Sequence, residues 1–482
     1  MALPMGQPLM GQPPMGQGHP FDHATVTRDA EICHAYSADA SGLAHDPEAV
    51  ARPTTEAEVV DLMQRCASHG VALTPQGLRS STTGASVPER GIALALEQMT
   101  RIVEIDPVRR IAIAEPGVVL GEFKRTLREA GLFYPPDPTS ENECSLGGTV
   151  ACNASGSRTY RYGATRPWVR SLRIVLADGT LQTVRRAGAS KNTTGYYGFQ
   201  DPIDLWIGSE GTLGIVTQVE VQCLAAPAAD FGAMAFFPSW REAIAFVLAA
   251  DALRLRGELE PRCLELFDAT SLALIHPEAG GLRIPEGAGA AVFFEEEAEP
   301  GKEMESFERW YELIEAQQGL ADLTIVAQSE AEKAALRRLR HAIPAGMNER
   351  GSRAQLHGGR KVSTDFAVPL EQLPLLMEDC FAIGRDLFGG LTAGYGHVGN
   401  GHPHFNLIAE DAASLVKAQA AARRMAMRAL ELGGTLSAEH GIGKIKRSLL
   451  RELYPAWQLR AMASLKQTLD PKGLLAPGNI FE

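Results

Sequence analysis

Residues 135–163, PPDPTSENECSLGGTVACNASGSRTYRYG, decide how the rest of the chain is read. A stiff Pro135-Pro136-Asp137-Pro138 corner leads into a run of Gly, Ser, Thr and Asn with almost no bulk. Small residues let a backbone approach a ligand closely, and consecutive N–H groups in such turns form concave sites for anions such as a pyrophosphate. Gly147, Gly148 and Gly156 are the positions able to take positive φ at little steric cost. An ordinary polar loop has the same composition, so the reading depends on what lies elsewhere.

Two further loops of the same character exist: residues 75–88, PQGLRSSTTGASVP, and residues 208–216, GSEGTLGIV. Between them the chain alternates. Thr55 to His69 has helical spacing, with Thr54 or Thr55 and Glu58 as a capping box, Val59, Val60, Leu62, Met63 and Cys66 on the buried side, and Gly70 as the stop. Residues 91–96, 102–106 and 111–117 read as short strands, Val119 to Ala130 as a helix, and residues 169–181 as a strand entering an Asp178-Gly179 hairpin turn. Residues 225–230, AAPAAD, break the pattern and mark a boundary. Beyond it come strands near Ala233 and Ala288 and helices over Trp240–Arg256, Glu303–Gln318 and Glu330–His341. Strands and helices in this order predict an α+β chain, its second part a sheet covered by helices on one side.

Composition narrows the function. The chain has 482 residues, enough for two or three domains, with 45% hydrophobic and 22% charged residues and a net charge of −12. That charge argues against a nucleic-acid or anionic-membrane partner held by bulk electrostatics, so an anionic substrate needs specific Arg, His or metal groups. Seven scattered Cys with no C-x-x-C pair indicate reduced thiols, and supply neither a disulfide framework nor an iron–sulfur cluster. The Met-Gly-Gln-Pro repeats at the start fit neither a secretory signal nor a transit peptide, and no apolar run approaches a membrane span. A cytoplasmic location, or one peripheral at the membrane, is expected.

Six of the twelve His lie between His341 and His440. Gly394, Gly396 and Gly399 formally satisfy G-x-G-x-x-G, but Gly401 and Pro403 forbid the helix that a dinucleotide fingerprint must open. His397 and His404, with Glu439 and His440, offer the N and O donors that hold a divalent metal such as Zn²⁺ or Mn²⁺. They form no helical H-x-x-x-H clamp, so the site requires tertiary assembly.

The three loops, their order, and the H-x-G-x-G-x-x-H and Glu-His-Gly-x-Gly motifs resemble the vanillyl-alcohol oxidase superfamily. Within it, the chain resembles the FAD-linked D-lactate, glycolate and D-2-hydroxyglutarate dehydrogenases. The resemblance runs from about residue 36 to residue 481. It implies a two-subdomain flavin-binding domain (36–224), an α+β cap domain with an antiparallel sheet (225–445) and a C-terminal segment packing back on the flavin domain (446–482), while the composition of the first residues reads as a disordered tail (1–35).

It further implies noncovalent FAD, with contacts at Pro75, Gly77, Ser80, Ser81, Thr82, Thr83, Gly84, Pro138, Thr139, Gly147, Gly148, Asn153, Ser157, Gly208, Glu210, Gly211 and Ile215. The metal ligands carry over to His397, His404 and Glu439, the base to His440, a substrate-binding Asn to Asn406 and the carboxylate-binding Arg to Arg340. His402 stands where the family often has Asn and is expected as a bystander. Two positions that grip a distal carboxylate in the 2-hydroxyglutarate enzymes hold Pro344 and Ser363 here, which favours a lactate- or glycolate-sized substrate. Lys361 lies two positions before Ser363, on the same face of an extended segment.

The expected activity is oxidation of a D-2-hydroxy acid to the 2-oxo acid, with electrons passed to a quinone, an electron-transferring flavoprotein or a cytochrome. A D-2-hydroxyglutarate dehydrogenase, a flavin transferase like the alkylglycerone-phosphate synthases, and a catalytically silent flavin-binding subunit are the alternatives. Oligomeric state is left open, a homodimer included.

Overall fold

The computed structural model describes residues 18–189, 191–274 and 284–481. Its first sheet has four strands in the order Val26–Thr27, Ala49–Ala51, Ile92–Ala95, Leu73–Gln76, the last three parallel. The helix Glu56–His69 packs on it because Val59, Leu62, Met63 and Cys66 fall on one face. Thr55 caps this helix reciprocally with Glu58, and Gly70 ends it at φ 70°. The far end of the chain completes this unit. Leu73 N donates to Leu474 O at 2.8 Å and Ala476 N to Leu73 O at 2.8 Å.

The second sheet is antiparallel, with strands Ile102–Asp106, Ile111–Ala114, Ile215–Gln222, Val169–Val175 and Leu181–Arg185 in spatial order. Its core takes Phe123 and Leu127 from one helix and Leu146 and Val150 from another. Each large apolar side chain buried there contributes about 1.5–3 kcal/mol.

The third sheet is antiparallel and seven-stranded. Four adjacent strands carry the site: β1 (Pro261–Asp268), β2 (Gly358–Ser363), β3 (Thr392–His397) and β4 (His402–Asp411), arranged β1-β3-β4-β2. Side chains alternate along each strand. Leu264, Leu266, Phe405, Leu407 and Ala409 therefore face a core shared with Phe246, Trp310, Met377 and Met425 from four helices. The opposite face carries Glu265, Tyr395, His397, His404, Asn406 and Lys361. It is partly covered by α1 (Glu330–Gln355) through Leu336, Leu339, Ile343 and Met347. Helices thus lie on both faces of this sheet rather than one, because α1 buries the apolar part of the second face.

Three other expectations change. The helix expected to end at His341 runs to Gln355 straight through Pro344; the buried stripe of Ile343, Met347 and Ala354 continues past it, and tertiary packing overrides the missing N–H. The quoted stretch is not all loop: Leu146–Cys152 is helical, with Ser145 accepting from Gly148 N and Asn153 left-handed at φ 49°. Gly147, Gly148 and Gly156 have no positive φ; a Cβ on Gly147 would sit 2.4 Å from Pro116 Cβ and one on Gly156 2.2 Å from Asp137 O, so smallness is what Gly147 and Gly156 provide. Of the tail expected over 1–35, residues 1–17 lie outside the described residues. The remainder is structured: Val26–Thr27 pairs with Val50–Ala51, and Cys33 and Tyr36 are buried on the first sheet. Among the described residues no helix is long and apolar enough to cross a membrane.

Candidate active site

A cleft of about 810 Å³ separates the loops of the first two sheets from the polar face of the third. One wall carries Gly77, Ser80, Ser81, Thr82, Pro138, Thr139 and Gly148; the other carries Glu265, Arg340, Lys361, His397, His404, Asn406, Glu439 and His440. A narrower pocket continues from it, lined by Pro75, Gly147, Glu210 and Gly211, and shares Gly77, Ser145, Gly148 and Cys152 with the cleft. This elongated space, walled by small residues, fits a dinucleotide lying along it. Six predicted flavin contacts line neither part. Thr83 donates its hydroxyl to His440 O at 3.2 Å, Gly84 turns its loop at φ 79°, and Asn153 accepts from Arg166 N at 2.9 Å. Ser157 donates to Asp137 at 2.8 Å, Gly208 N donates to Val150 O at 2.9 Å, and Ile215 is fully buried in the core between the first sheet and the helix Glu56–His69.

The predicted metal ligands meet. β3 ends at His397, a tight turn through Gly401 at φ 65° reverses the chain, and β4 presents His402 and His404. Glu439 arrives from a separate turn: one oxygen lies 3.0 Å from His397 Nε2 and 4.0 Å from His402 Nδ1, the other 3.5 Å from His404 Nε2. One ligand atom from each of His397, His402, His404 and Glu439 lies within 4.8 Å of all the others. His402, expected as a bystander, is the fourth member of this group. Alternation along β4 places it beside His404, their rings 4.3 Å apart.

Neighbouring groups fix these side chains. His397 Nδ1 meets Glu265 Oε1 at 2.5 Å, and His404 Nδ1 lies 3.1 Å from Thr364 O, so in both rings Nε2 is the nitrogen turned to Glu439. Ser155 donates to Glu439 at 3.1 Å from across the cleft. Burial pushes the Glu439 carboxyl up, but the charge of His397 and hydrogen bonds from His397 and His404 outweigh it and hold it well below the usual range. Burial pulls His397 down, and Glu265 and Glu439 more than reverse that, leaving it well above its ordinary value. Burial and the neighbouring His404 bring His402 down to about 4. An ionised carboxylate beside imidazole nitrogens forms a donor set suited to a divalent cation, which would displace the proton between His397 and Glu439.

His440 stands beside the group, its ring stacked on His404 with centroids 5.9 Å apart and its Nδ1 3.3 Å from Asp365. Arg340 lines the cleft with Nε and Nη2 each 3.1 Å from Glu265, so this guanidinium is already engaged by a carboxylate. Asn406, 2% exposed, accepts from Ser363 at 2.6 Å, while its Nδ2 has no partner. Lys361 donates to Asn348, and burial alone lowers its ammonium from the ordinary value.

Sequence reasoning passed over Glu265, Asp365, Ser155 and Lys446. A charge at position 265 inside the apolar strand sequence Cys263-Leu-Glu-Leu-Phe was the available signal for the first. Asp365 opens residues 365–369, DFAVP, two positions after Ser363.

This fold, with its cleft between small-residue loops and an antiparallel sheet, is shared with solved structures. Its solved neighbours include an alkyldihydroxyacetonephosphate synthase (TM-score 0.72, 19% identity, covering 94% of this chain and 82% of that one). Another is the 4-ethylphenol oxidase from Gulosibacter chungangensis (TM-score 0.72, 17% identity, 95% and 94%).

The chain belongs to the FAD-linked oxidases. Residues 47–185 match the FAD binding domain family, and residues 226–480 match the family of FAD linked oxidases, C-terminal domain. Among its relatives are the D-2-hydroxyglutarate dehydrogenase of Xanthomonas citri pv. viticola, 32% identical over 91% of this chain and 90% of that one, and the glycolate oxidase subunit GlcD of Bacillus subtilis, 30% identical over 90% and 89%.

Proposed function

We propose that the protein oxidises a D-2-hydroxy acid to the 2-oxo acid with noncovalently bound FAD and a divalent cation, Zn²⁺ or Mn²⁺. The observation that carries this reading is the meeting of His397, His404, Glu439 and His440, from separate segments, on the wall of a cleft whose other wall is built from flavin-type loops. FAD supplies the hydride acceptor, and a cation held by His397, His404 and Glu439 supplies stabilisation of an alkoxide. His440 accepts the hydroxyl proton, Asn406 Nδ2 donates to a substrate oxygen, and Arg340 faces the carboxylate. Cys144 and Cys152 are pushed up to about 12 by burial, which leaves them thiols and suits a flavin without a cysteinyl bond.

A second reading, oxidation of a 2-hydroxy dicarboxylate, rests on Lys361. Its ammonium lies in the cleft on the same sheet face as Asn406, and among the described residues no carboxylate lies within 4.0 Å of it. A substrate with a second carboxylate would provide that counter-charge.

Both readings are tested by adding D- and L-2-hydroxy acids anaerobically and following the flavin spectrum. Bleaching by a D-acid is expected; bleaching by none would favour a transferase or a silent subunit. Glu439→Gln is expected to keep FAD, lose the metal and slow bleaching at least about 100-fold. Unchanged turnover would remove the metal role.

A further inference from the structure

We propose that Asp365 is a positioning residue for this reaction: one buried carboxylate that orients the His440 ring and holds the turn that delivers Glu439 and His440 to the cleft. The inference rests on the function proposed above. Asp365 follows the end of β2 and is 6% exposed. Its Oδ1 accepts from Ala438 N at 3.3 Å and Glu439 N at 3.0 Å, and its Oδ2 from His440 N at 3.1 Å and Ser437 Oγ at 3.2 Å. Three consecutive backbone N–H groups pointing at one carboxylate are a nest. The backbone of this turn is therefore shaped around Asp365.

The same carboxylate reaches the side chains. His440 Nδ1 lies 3.3 Å from Oδ2, Lys446 Nζ contacts that oxygen, and His402 Nε2 lies 3.4 Å from Oδ1. An ionised carboxylate only accepts, so the proton of a neutral His440 sits on Nδ1 and Nε2 is left as the basic nitrogen. A group that removes a hydroxyl proton needs that tautomer and a fixed ring plane. Lys446 balances the charge, which lets the carboxylate stay ionised away from water. Asp365 touches no part of the open cleft, so its influence passes through His440 and Glu439.

The test compares FAD-loaded wild type with Asp365→Asn, Asp365→Glu and Ser437→Ala under anaerobic conditions, using the D-acid that bleaches the wild type. Asp365→Asn is expected to keep FAD, to hold substrate affinity within about threefold, and to bleach about 10²–10⁴-fold more slowly. Asp365→Glu is expected to recover at least about tenfold of that loss. Ser437→Ala removes one donor to Asp365 and leaves the three backbone N–H groups in place, so it is expected to lose less than about tenfold, and a loss as large as that of Asp365→Asn would overturn the ring-orienting role. Bleaching by Asp365→Asn within threefold of wild type, or a parallel loss of FAD and substrate affinity, would overturn the inference and leave the activity standing. A wild type that no acid bleaches would bring down the proposed function first. Neutron diffraction of the wild-type holoenzyme gives an answer independent of the variants: a deuteron on His440 Nδ1 is expected, and a bare Nδ1 refutes the proposal.

Discussion

Glu265 Oε1 lies 2.5 Å from His397 Nδ1, and the other oxygen of the same carboxylate holds Arg340 at 3.1 Å. A single buried acid on β1 thus ties a candidate metal ligand to the candidate substrate-binding cation. Burial pushes Glu265 up, but His397 and Arg340 keep it below the ordinary range, so it serves both as an anion. Glu265→Gln is expected to weaken metal retention about 10–100-fold, measured by metal content after dialysis, and to raise KM for the hydroxy acid while FAD stays bound. Unchanged metal content would place the role of Glu265 in packing alone.

Lys361 decides between a small and a dicarboxylic substrate. If it receives a distal carboxylate, Lys361→Met should raise KM for D-malate or D-2-hydroxyglutarate about 10–100-fold, the equivalent of a lost charge-assisted hydrogen bond. D-lactate should be unaffected. Equal effects on both acids would assign Lys361 to the wall of the cleft and not to recognition.

Arg158 and Glu295 join the quoted loop to the third sheet through paired contacts of 2.8 and 3.1 Å, both side chains nearly buried. Breaking one partner strands a buried charge, so Arg158→Met or Glu295→Gln should cost about 3–5 kcal/mol in denaturant unfolding. The double change Arg158→Met with Glu295→Gln should cost less than the sum of the two single changes. Strict additivity would show that the pair is not coupled.

Asp268 gives a pH test away from the metal group. Burial raises its carboxyl from 3.8 to about 6, although Ser271 and Gly394 N donate to it. Its folded value exceeds its unfolded one, so the stability it contributes is complete below about pH 4 and is lost as pH rises through 6. Relative to Asp268→Asn, the wild type should lose about 3 kcal/mol between pH 4 and pH 7. A difference that does not vary with pH would show that Asp268 is ionised throughout.

Local signals written in one stretch were legible in the sequence. The Thr55 and Glu58 capping box, the Gly70 stop and the Asp178-Gly179 turn each depend on neighbours a few residues apart, and each forms as expected. The candidate ligands were legible because imidazoles concentrated among glycines are chemically conspicuous. What escaped depends on distance. Glu265 and Asp365 meet their partners only when segments far apart in sequence lie side by side, and His402 joins the candidate metal group through the pairing of β3 with β4. The length of α1 escaped for the opposite reason: Pro344 removes a local hydrogen bond, and the packing of Ile343 and Met347 overrides it.

The parallel contact between Leu73 and Leu475 closes the first sheet with the segment around Asp470 to Asn479. During translation Leu73 leaves the ribosome long before its partner exists, and so do Thr83 and Glu210, which later grasp the turn bearing His440. The nascent flavin domain stays unfinished until the segment around Leu475 has been made. A chain lacking Leu475 would therefore leave the strand Leu73–Gln76, which opens into the first small-residue loop, without one of its neighbours.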